Sequence, residues 1–276
     1  MLADVTPYLR CPLCHGDLAL AGAVLGCGHG HRFDVARQGY ASLLPGDART
    51  RTADTAAMVT ARAEFLACGA YAPLTAALSE AVGRSGPGCV VDAGGGTGHH
   101  LAGVLERHAD RLGIACDLSR YAARRAARAH PRIGAVVADV WRGLPVRDGS
   151  AQAVLDVFAP RNPAEFHRVL HDDGLLVVAT PLPEHLTELV HRLGMLSVDA
   201  DKPRRLRDAL DPLFAQQDGH DLRWRMELSR RDVRALVEMG PSAWHSDDVV
   251  ARLRTVPEPV EVTAAVTVAT YRPCRD

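Results

Sequence analysis

The stretch Val90-Val91-Asp92-Ala93-Gly94-Gly95-Gly96-Thr97-Gly98-His99-His100 restricts this chain more than any other. An apolar run ends in an acid, four glycines follow within five residues, and an amphipathic helical pattern runs on from Leu101 to His108. Glycines let a backbone turn tightly and lie against a ligand, so strand, glycine turn and helix open a nucleotide-binding βα unit. The spacing Gly94-x-Gly96-x-Gly98 departs from the G-x-G-x-x-G dinucleotide fingerprint. An acid just before the first glycine, Asp92, and a second about one strand further on, Asp117, fit S-adenosyl-L-methionine better.

The rest of the main region follows this unit. Apolar β-rich runs recur at Cys89–Asp92, Gly113–Asp117, Ala135–Asp139, Ala153–Phe158 and Leu175–Thr180, with helical patterns between them. Such alternation predicts a parallel sheet with helices on both faces, whose ligands lie outside the carboxyl ends of the strands. Asp92, Asp117 and Asp139 all fall at that edge, where acids are expensive unless they accept hydrogen bonds. Asp117, followed by Leu118, is placed for two ribose hydroxyls, and Asp139 with Val140 for an adenine amine. Asp92 is placed to fix the glycine loop. Asp117-Leu118-Ser119 also suits a helix cap, which stays open as an alternative. Asp221–Leu228 and Val260–Tyr271 alternate as two late strands around a helix at Arg230–Glu238, an antiparallel pair as in a class I methyltransferase. Between them, Met239 to His245 reads as a turn whose Trp244 either packs or lines a pocket.

The N-terminal residues 1–46 read as a separate small unit. Cys11-Pro-Leu-Cys14 is followed by Cys27-Gly-His-Gly-His31, two tight turns each carrying a pair of ligands for a closed tetrahedral Zn²⁺ site. We assign Cys11, Cys14, Cys27 and His31, with His29 and His15 as alternatives for the fourth place. Four protein ligands leave no room for an activated water, so the site is structural. The seven cysteines are an odd number, and no signal-peptide core precedes them, which points to reduced thiols and a cytoplasmic protein. No run approaches the ~18 apolar residues of a membrane span. Residues 47–84 read as a polar linker, then two alanine-rich helices at Thr55–Ala67 and Tyr71–Val82, and residues 85–276 as the methyltransferase domain.

The ribbon Cys11/Cys14/Cys27/His31, then Phe33-Asp-x-Ala-x-x-Gly-Tyr40, Gly69-x-Tyr71-x-Pro73-Leu74 and the glycine loop resemble the RlmA-type 23S rRNA (guanine-N1)-methyltransferases. The similarity is greatest to the branch conferring tylosin and mycinamycin resistance. Asp54-Thr-Ala-Ala-Met58, Ala138-Asp-Val-Trp141, Val157-Phe-Ala-Pro-Arg-Asn-Pro163 and Met239-Gly-Pro-Ser-Ala-Trp244 extend it along the chain. The fold class it implies is α/β: a class I, Rossmann-like methyltransferase with a seven-stranded sheet plus a small N-terminal zinc ribbon. The implied activity is methyl transfer from S-adenosyl-L-methionine to N1 of a guanine in a 23S rRNA hairpin lining the peptide exit tunnel. The partner is that hairpin or a large-subunit precursor, with no membrane and with a homodimer compatible with the family. The resemblance also brings Tyr71, the loop ending at Gly98-His99 with His100 beside it, Asp117 and His185 to the cofactor, and gives the ribbon to RNA recognition.

Guanine N1 carries a proton, so the reaction needs a base or positioned water and a donor at O6. Phe158 is the candidate to stack the base, and Arg161 or Asn162 to face its edge; no general base is identified. The candidate phosphate contacts are Arg10, Arg32 and Arg37 on the ribbon, Arg49 and Arg51 in the linker, and Arg120, Arg124, Arg125 and Arg128 on one helix face. Two other readings remain: a small-molecule methyltransferase of antibiotic biosynthesis, and a non-catalytic zinc-ribbon RNA-binding protein. The first gives the ribbon no task, and the second leaves the glycines and three edge acids unexplained.

Overall fold

In the computed structural model the chain is described except at residues 47, 49, 51, 196, 200, 241–251 and 276. Arg49, Arg51, Trp244 and His245 therefore lie outside the described residues. A one-turn helix, α1 (Leu2–Val5), precedes a ribbon of three antiparallel strands, β1 (Leu18–Ala21), β2 (Val24–Cys27) and β3 (Arg32–Asp34). A short strand, β4 (Tyr40–Ser42), then leads to the two expected helices, α2 (Ala56–Ala67) and α3 (Ala72–Gly83). Thr55 caps α2 by accepting from the Met58 N–H, and Pro73 sits in the first turn of α3 where no donor is needed.

The alternating region follows as β5 (Gly88–Ala93), α4 (His99–Arg107), β6 (Arg111–Asp117), α5 (Arg120–Ala129) and β7 (Ile133–Val137). After β8 (Ala151–Val157) come α6 (Pro163–Val169), β9 (Leu170–Pro181), α7 (Thr187–Leu193) and α8 (Lys202–Leu210). The long hairpin partners β10 (Phe214–Leu228) and β11 (Val260–Pro273) flank α9 (Arg230–Glu238). The main sheet runs β10-β11-β9-β8-β5-β6-β7-β4, with β11 antiparallel to both neighbours and the other pairings parallel. Seven of these strands are the expected ones. The eighth, β4, comes from residues read as ribbon and adds to the β7 edge, Tyr40 beside Ala135 and Ser42 beside Val137. Asp139 lies just beyond β7 rather than inside it.

Each central strand is buried on both sides, as a parallel sheet between two layers requires. Val90, Ala115, Leu155 and Val177 enter the core formed with α3, α4, α7 and α9. Their neighbours Val91, Ile114, Val154 and Val178 enter a second core on the opposite face. That second face holds the main surprise. The connection from β7 to β8 contains no helix, and α1 with the ribbon covers the bare sheet instead. Leu2, Val5, Leu18, Leu25 and Phe33 share one cluster with the sheet. Helix α1 lies so close to β7 that a Cβ on Gly134 would come within 2.1 Å of Val5 Cγ2.

The ribbon's root is fastened to the same connection. Arg10 N–H donates to the Pro145 carbonyl and Arg147 N–H to that of Tyr8. Arg10 pairs with Asp148 at 2.8 Å, and Arg168 joins Asp148 at 2.5 Å to Glu165 at 2.7 Å. Arg10 is thus a structural tie as well as a ribbon cation. No single helix among the described residues is long and apolar enough to cross a membrane.

Candidate functional site

Two sites lie at opposite extremes of complexity. In the ribbon, Cys11, Cys14, Cys27 and His31 bring one donor atom each to within 4.8 Å of one another. Cys11 Sγ is 3.5 Å and Cys27 Sγ 3.3 Å from His31 Nδ1, and the Cys14 and Cys27 sulfurs are 3.6 Å apart. A tetrahedral zinc with bonds of about 2.0–2.3 Å separates its ligands by roughly 3.5–3.8 Å, so the donor set fits the ion. Burial opposes ionisation of Cys27, yet backbone donors at His29 and His31, with Cys14 and the His31 ring, bring the thiol down to about 6. Thiolate is the form that binds metal. Of the alternatives, neither His29 nor His15 belongs to the cluster, and the His29 ring faces Gly16.

The second site is a cavity of about 670 Å³ along the carboxyl edge of the sheet. One end is built from the turns after β5, β6 and β7. Gly94, Gly95, Gly96, His99, His100, Asp117, Leu118, Asp139 and Val140 line it, and Asp92 lies beneath. Gly98 starts α4 behind the lining with φ 74°. At Gly94, φ is 75° and a Cβ would meet Ala159 at 2.7 Å, so only glycine lets the turn pass β8. A Cβ on Gly95 would touch the Asp92 carboxylate at 2.8 Å.

The acids are strained electrostatically. Asp92 is fully buried, and burial, with repulsion from Asp117 and Asp156, pushes its carboxyl up to about 7. Burial raises Asp117 as well, against the N–H donors that partly offset it, Gly96 at 2.9 Å and Ser119 at 2.8 Å. Asp117 therefore organises the loop and the start of α5 while facing the cavity. Ser119 provides the α5 cap through its own hydroxyl. His100 is held neutral, lowered to about 3 by burial and by His99, and shares a hydrogen bond with the Thr75 hydroxyl at 2.8 Å.

The other end, above β8, β9 and β11, is aromatic. Tyr71 is buried and packs edge-on against Phe65 at 5.0 Å and Trp224 at 5.8 Å, with Phe158 at 6.3 Å. His185 does not line the cavity itself. The Ala265 N–H donates to its Nδ1 at 3.1 Å, which puts the ring proton on Nε2, facing the Tyr71 oxygen at 3.1 Å. Burial raises the Tyr71 phenol, so the group stays protonated and its own proton is free to be donated. Phe158 is 38% exposed and has φ 55°, a left-handed backbone that a non-glycine residue adopts only when its surroundings impose it.

The other two guanine-pocket candidates point elsewhere. Arg161 Nε lies 2.6 Å from the fully buried Asp156 carboxylate. Asn162 caps α6 by accepting from the Glu165 N–H and donates to the Val140 carbonyl at 2.9 Å. Sequence reading also missed several lining residues. Arg62 reaches the cavity from α2, pairs with Asp54 and donates to the Met239 carbonyl at 3.1 Å. Thr52, Ala53 and Asp54 form part of the wall, held by a 2.7 Å hydrogen bond from the Ser119 hydroxyl to the Asp54 carbonyl. Trp141, 65% exposed, stands at the mouth beside Asp139. Its place in Ala138-Asp-Val-Trp141, one of the stretches that carry the family resemblance, was the one available signal.

Comparison with known proteins adds the following. Residues 9–50 match the family described as RlmA, N-terminal zinc ribbon. A Micromonospora griseorubida protein described as a 23S rRNA (guanine-N(1)-)-methyltransferase is 48% identical over 99% of this chain and 100% of its own length. The 23S rRNA (guanine(748)-N(1))-methyltransferase of Streptomyces fradiae is also 48% identical, over 99% of both chains. Among solved structures, the YcgJ protein from Bacillus subtilis is similar in fold, with a TM-score of 0.50 at 12% identity over 73% of this chain and 98% of that one.

Proposed function

This chain belongs to the RlmA-type 23S rRNA (guanine-N1)-methyltransferases, and from that premise we propose that it methylates N1 of a guanine in a 23S rRNA hairpin near the peptide exit tunnel. The name of the Streptomyces fradiae relative gives guanine 748, and the corresponding guanine is the expected target, with tylosin-type macrolide resistance as the consequence. The observation that carries this reading is the cavity, which crosses the sheet edge from Asp92, Asp117 and Asp139 to the exposed Phe158.

S-adenosyl-L-methionine supplies an activated methyl group on a cationic sulfonium. The residues of the chain bind and orient it. Asp117 has lone pairs beyond those engaged by Gly96 and Ser119, enough to accept from two ribose hydroxyls. Asp139 and Val140 frame the adenine amine. Tyr71, with its oxygen accepting from His185, keeps a proton that it would donate to the carboxylate at the methionine end of the cofactor, and His99 and His100 would line the same end. Phe158 stacks the guanine, and the aromatic wall around it excludes water. Alignment of this kind supplies about 7–11 kcal/mol of the barrier.

RNA recognition falls to residues 1–46, where Arg32 and Arg37 are exposed, and catalysis to 85–276, with Thr52, Asp54, Arg62 and Tyr71 of the 47–84 segment lining the cavity. Action on rRNA assigns the protein to the cytoplasm, and a homodimer spanning the RNA is a further expectation checked by sedimentation. Tritiated S-adenosyl-L-methionine incubated with unmodified 23S RNA, followed by mapping of the labelled nucleotide, tests the proposal. Label at N1 of one guanine is the expected result. Label on a small metabolite returns the antibiotic-biosynthesis reading, and RNA binding without transfer the non-catalytic one.

A further inference from the structure

A second groove of about 700 Å³ lies between α2 and α5. Small side chains, Ala56, Ala63, Ala67 and Ala129, leave the space between the two helices unfilled, and Val59 and Leu66 form an apolar floor. Its α5 wall carries Arg124, Arg125 and Arg128, all exposed. No acid lines the groove. Among the described residues no carboxylate lies within ion-pairing distance of these arginines; Arg125 meets only the Thr60 hydroxyl, at 3.4 Å.

The formal net charge of the chain is −1, and several of its other arginines face acids: Arg168 has Asp148 and Glu165, Arg223 has Glu184 and Asp221, and Arg234 has Glu238. In the groove three arginines share one face with no acid in the lining. Three exposed guanidinium groups along a wall that carries no acid leave a local positive field that a polyanion would match. Arg124 and Arg128 are one helical turn apart, about 6 Å along the axis, so they address successive groups on a polymer rather than one point charge. Guanidinium forks grip phosphate oxygens in bidentate fashion.

The groove is continuous with its surroundings on both sides. Leu66, Thr97 and His99 line both the groove and the cavity along the sheet edge. On the other flank of α5, Gly39 in the ribbon's outgoing turn lies against Ala127, and exposed Arg37 belongs to the same turn. Helix α5 thus stands between the ribbon and the cavity.

We propose that the α2–α5 groove holds the phosphodiester backbone of the RNA strand next to the target nucleotide, bridging the ribbon to the methyl-transfer cavity. This rests on the reading of the chain as an RNA methyltransferase. A guanine in a paired hairpin must leave its stack to be modified, and the flanking backbone has to be gripped while it does so.

The test uses the full-length zinc-loaded protein and a transcript of the target hairpin. RNA binding is followed by fluorescence anisotropy between about 50 and 200 mM salt. Arg124→Ala/Arg125→Ala/Arg128→Ala is expected to bind the hairpin roughly tenfold or more weakly, with a slope of log K against log salt shallower by about 2. Affinity for S-adenosyl-L-methionine, read by calorimetry, stays unchanged, and the triple lysine variant recovers most of the RNA binding. The single changes Arg124→Ala and Arg128→Ala each lower the slope by about 1, so the inference stands or falls even if the triple variant folds poorly. Unchanged affinity and slope overturn the inference. So does weakened binding to intact large subunits with unchanged binding to the hairpin, which gives the groove to a ribosomal protein. Wild-type protein that methylates no 23S RNA at all overturns the functional reading itself, an outcome distinct from either.

Discussion

The zinc ribbon and the sheet-edge cavity solve opposite problems. In the ribbon, four donors within a short stretch of chain converge on one point and leave no coordination position open. In the cavity, groups far apart in the chain, from Thr52 to Gly240, converge around an open volume of about 670 Å³ that polar side chains line. Asp92 and Asp117 are both raised by burial, and Tyr71 holds an undonated proton. A closed shell of this kind stabilises a fold, while an edge with raised acids holds a ligand. The difference teaches which changes should act on stability and which on binding.

The largest effect belongs to the ribbon. Removing zinc with a chelator, or Cys14→Ala, forfeits metal-binding free energy on the order of 10 kcal/mol. Because ribbon and sheet share one core, the whole chain and not the ribbon alone is expected to melt at lower temperature, with metal content tracked by atomic absorption. An unchanged melt of the main domain would break the comparison, since the ribbon would then be an independent appendage.

Next comes Asp92, whose carboxyl stands at about 7 in the fold against an ordinary value near 4. The folded state keeps a proton that the unfolded chain has already lost. The group's contribution is therefore full below the unfolded value and falls as pH rises from about 4 to about 7, by up to about 4 kcal/mol. Asp92→Asn should flatten that part of the stability profile relative to wild type in denaturant titrations; parallel profiles would show that the acid is already matched. Asp117→Ala removes the acceptor proposed for two ribose hydroxyls and is expected to lower cofactor affinity by about 3 kcal/mol, roughly a hundredfold, by calorimetry. Its effect on melting should be smaller than that of Cys14→Ala.

Phe158→Ala is expected to raise the barrier to turnover by about 1–3 kcal/mol while sparing cofactor affinity, because the change removes the base stacking proposed for it. Equal loss in both would move Phe158 from the acceptor end to the cofactor end. The smallest effect falls on Asn162→Ala, which removes the α6 cap and should cost about 1 kcal/mol in stability without changing cofactor binding.

Legibility in the sequence followed the range of the interactions. The zinc ligands were readable because two pairs sit on tight local turns, and His31 was preferred over His29 and His15. The order of strands and helices was readable because burial on both faces writes continuous apolar runs. Helix α9 matched its expected limits, Arg230–Glu238, where a Ser229–Asp232 capping box marks the start. Strand β4 was missed, since Tyr40-Ala-Ser42 is too short to signal a strand away from the β7 edge. Arg62 was missed because its pairing with Asp54 and Met239 depends on where α2 crosses the cavity.

By itself, the sequence determined the local chemistry: a tetrahedral donor set, a glycine turn with an acid before it, and alternating strands and helices. These depend on spacings of a few residues and on side-chain periodicity, which the backbone imposes directly. Only the tertiary structure decided that the ribbon replaces a helix over the bare sheet, that Arg161 and Asn162 turn to Asp156 and Val140, and that the Tyr71 oxygen accepts a hydrogen bond from His185. Those outcomes hang on contacts between residues many tens of positions apart, and close packing of the sheet selects among them only when the whole chain has closed.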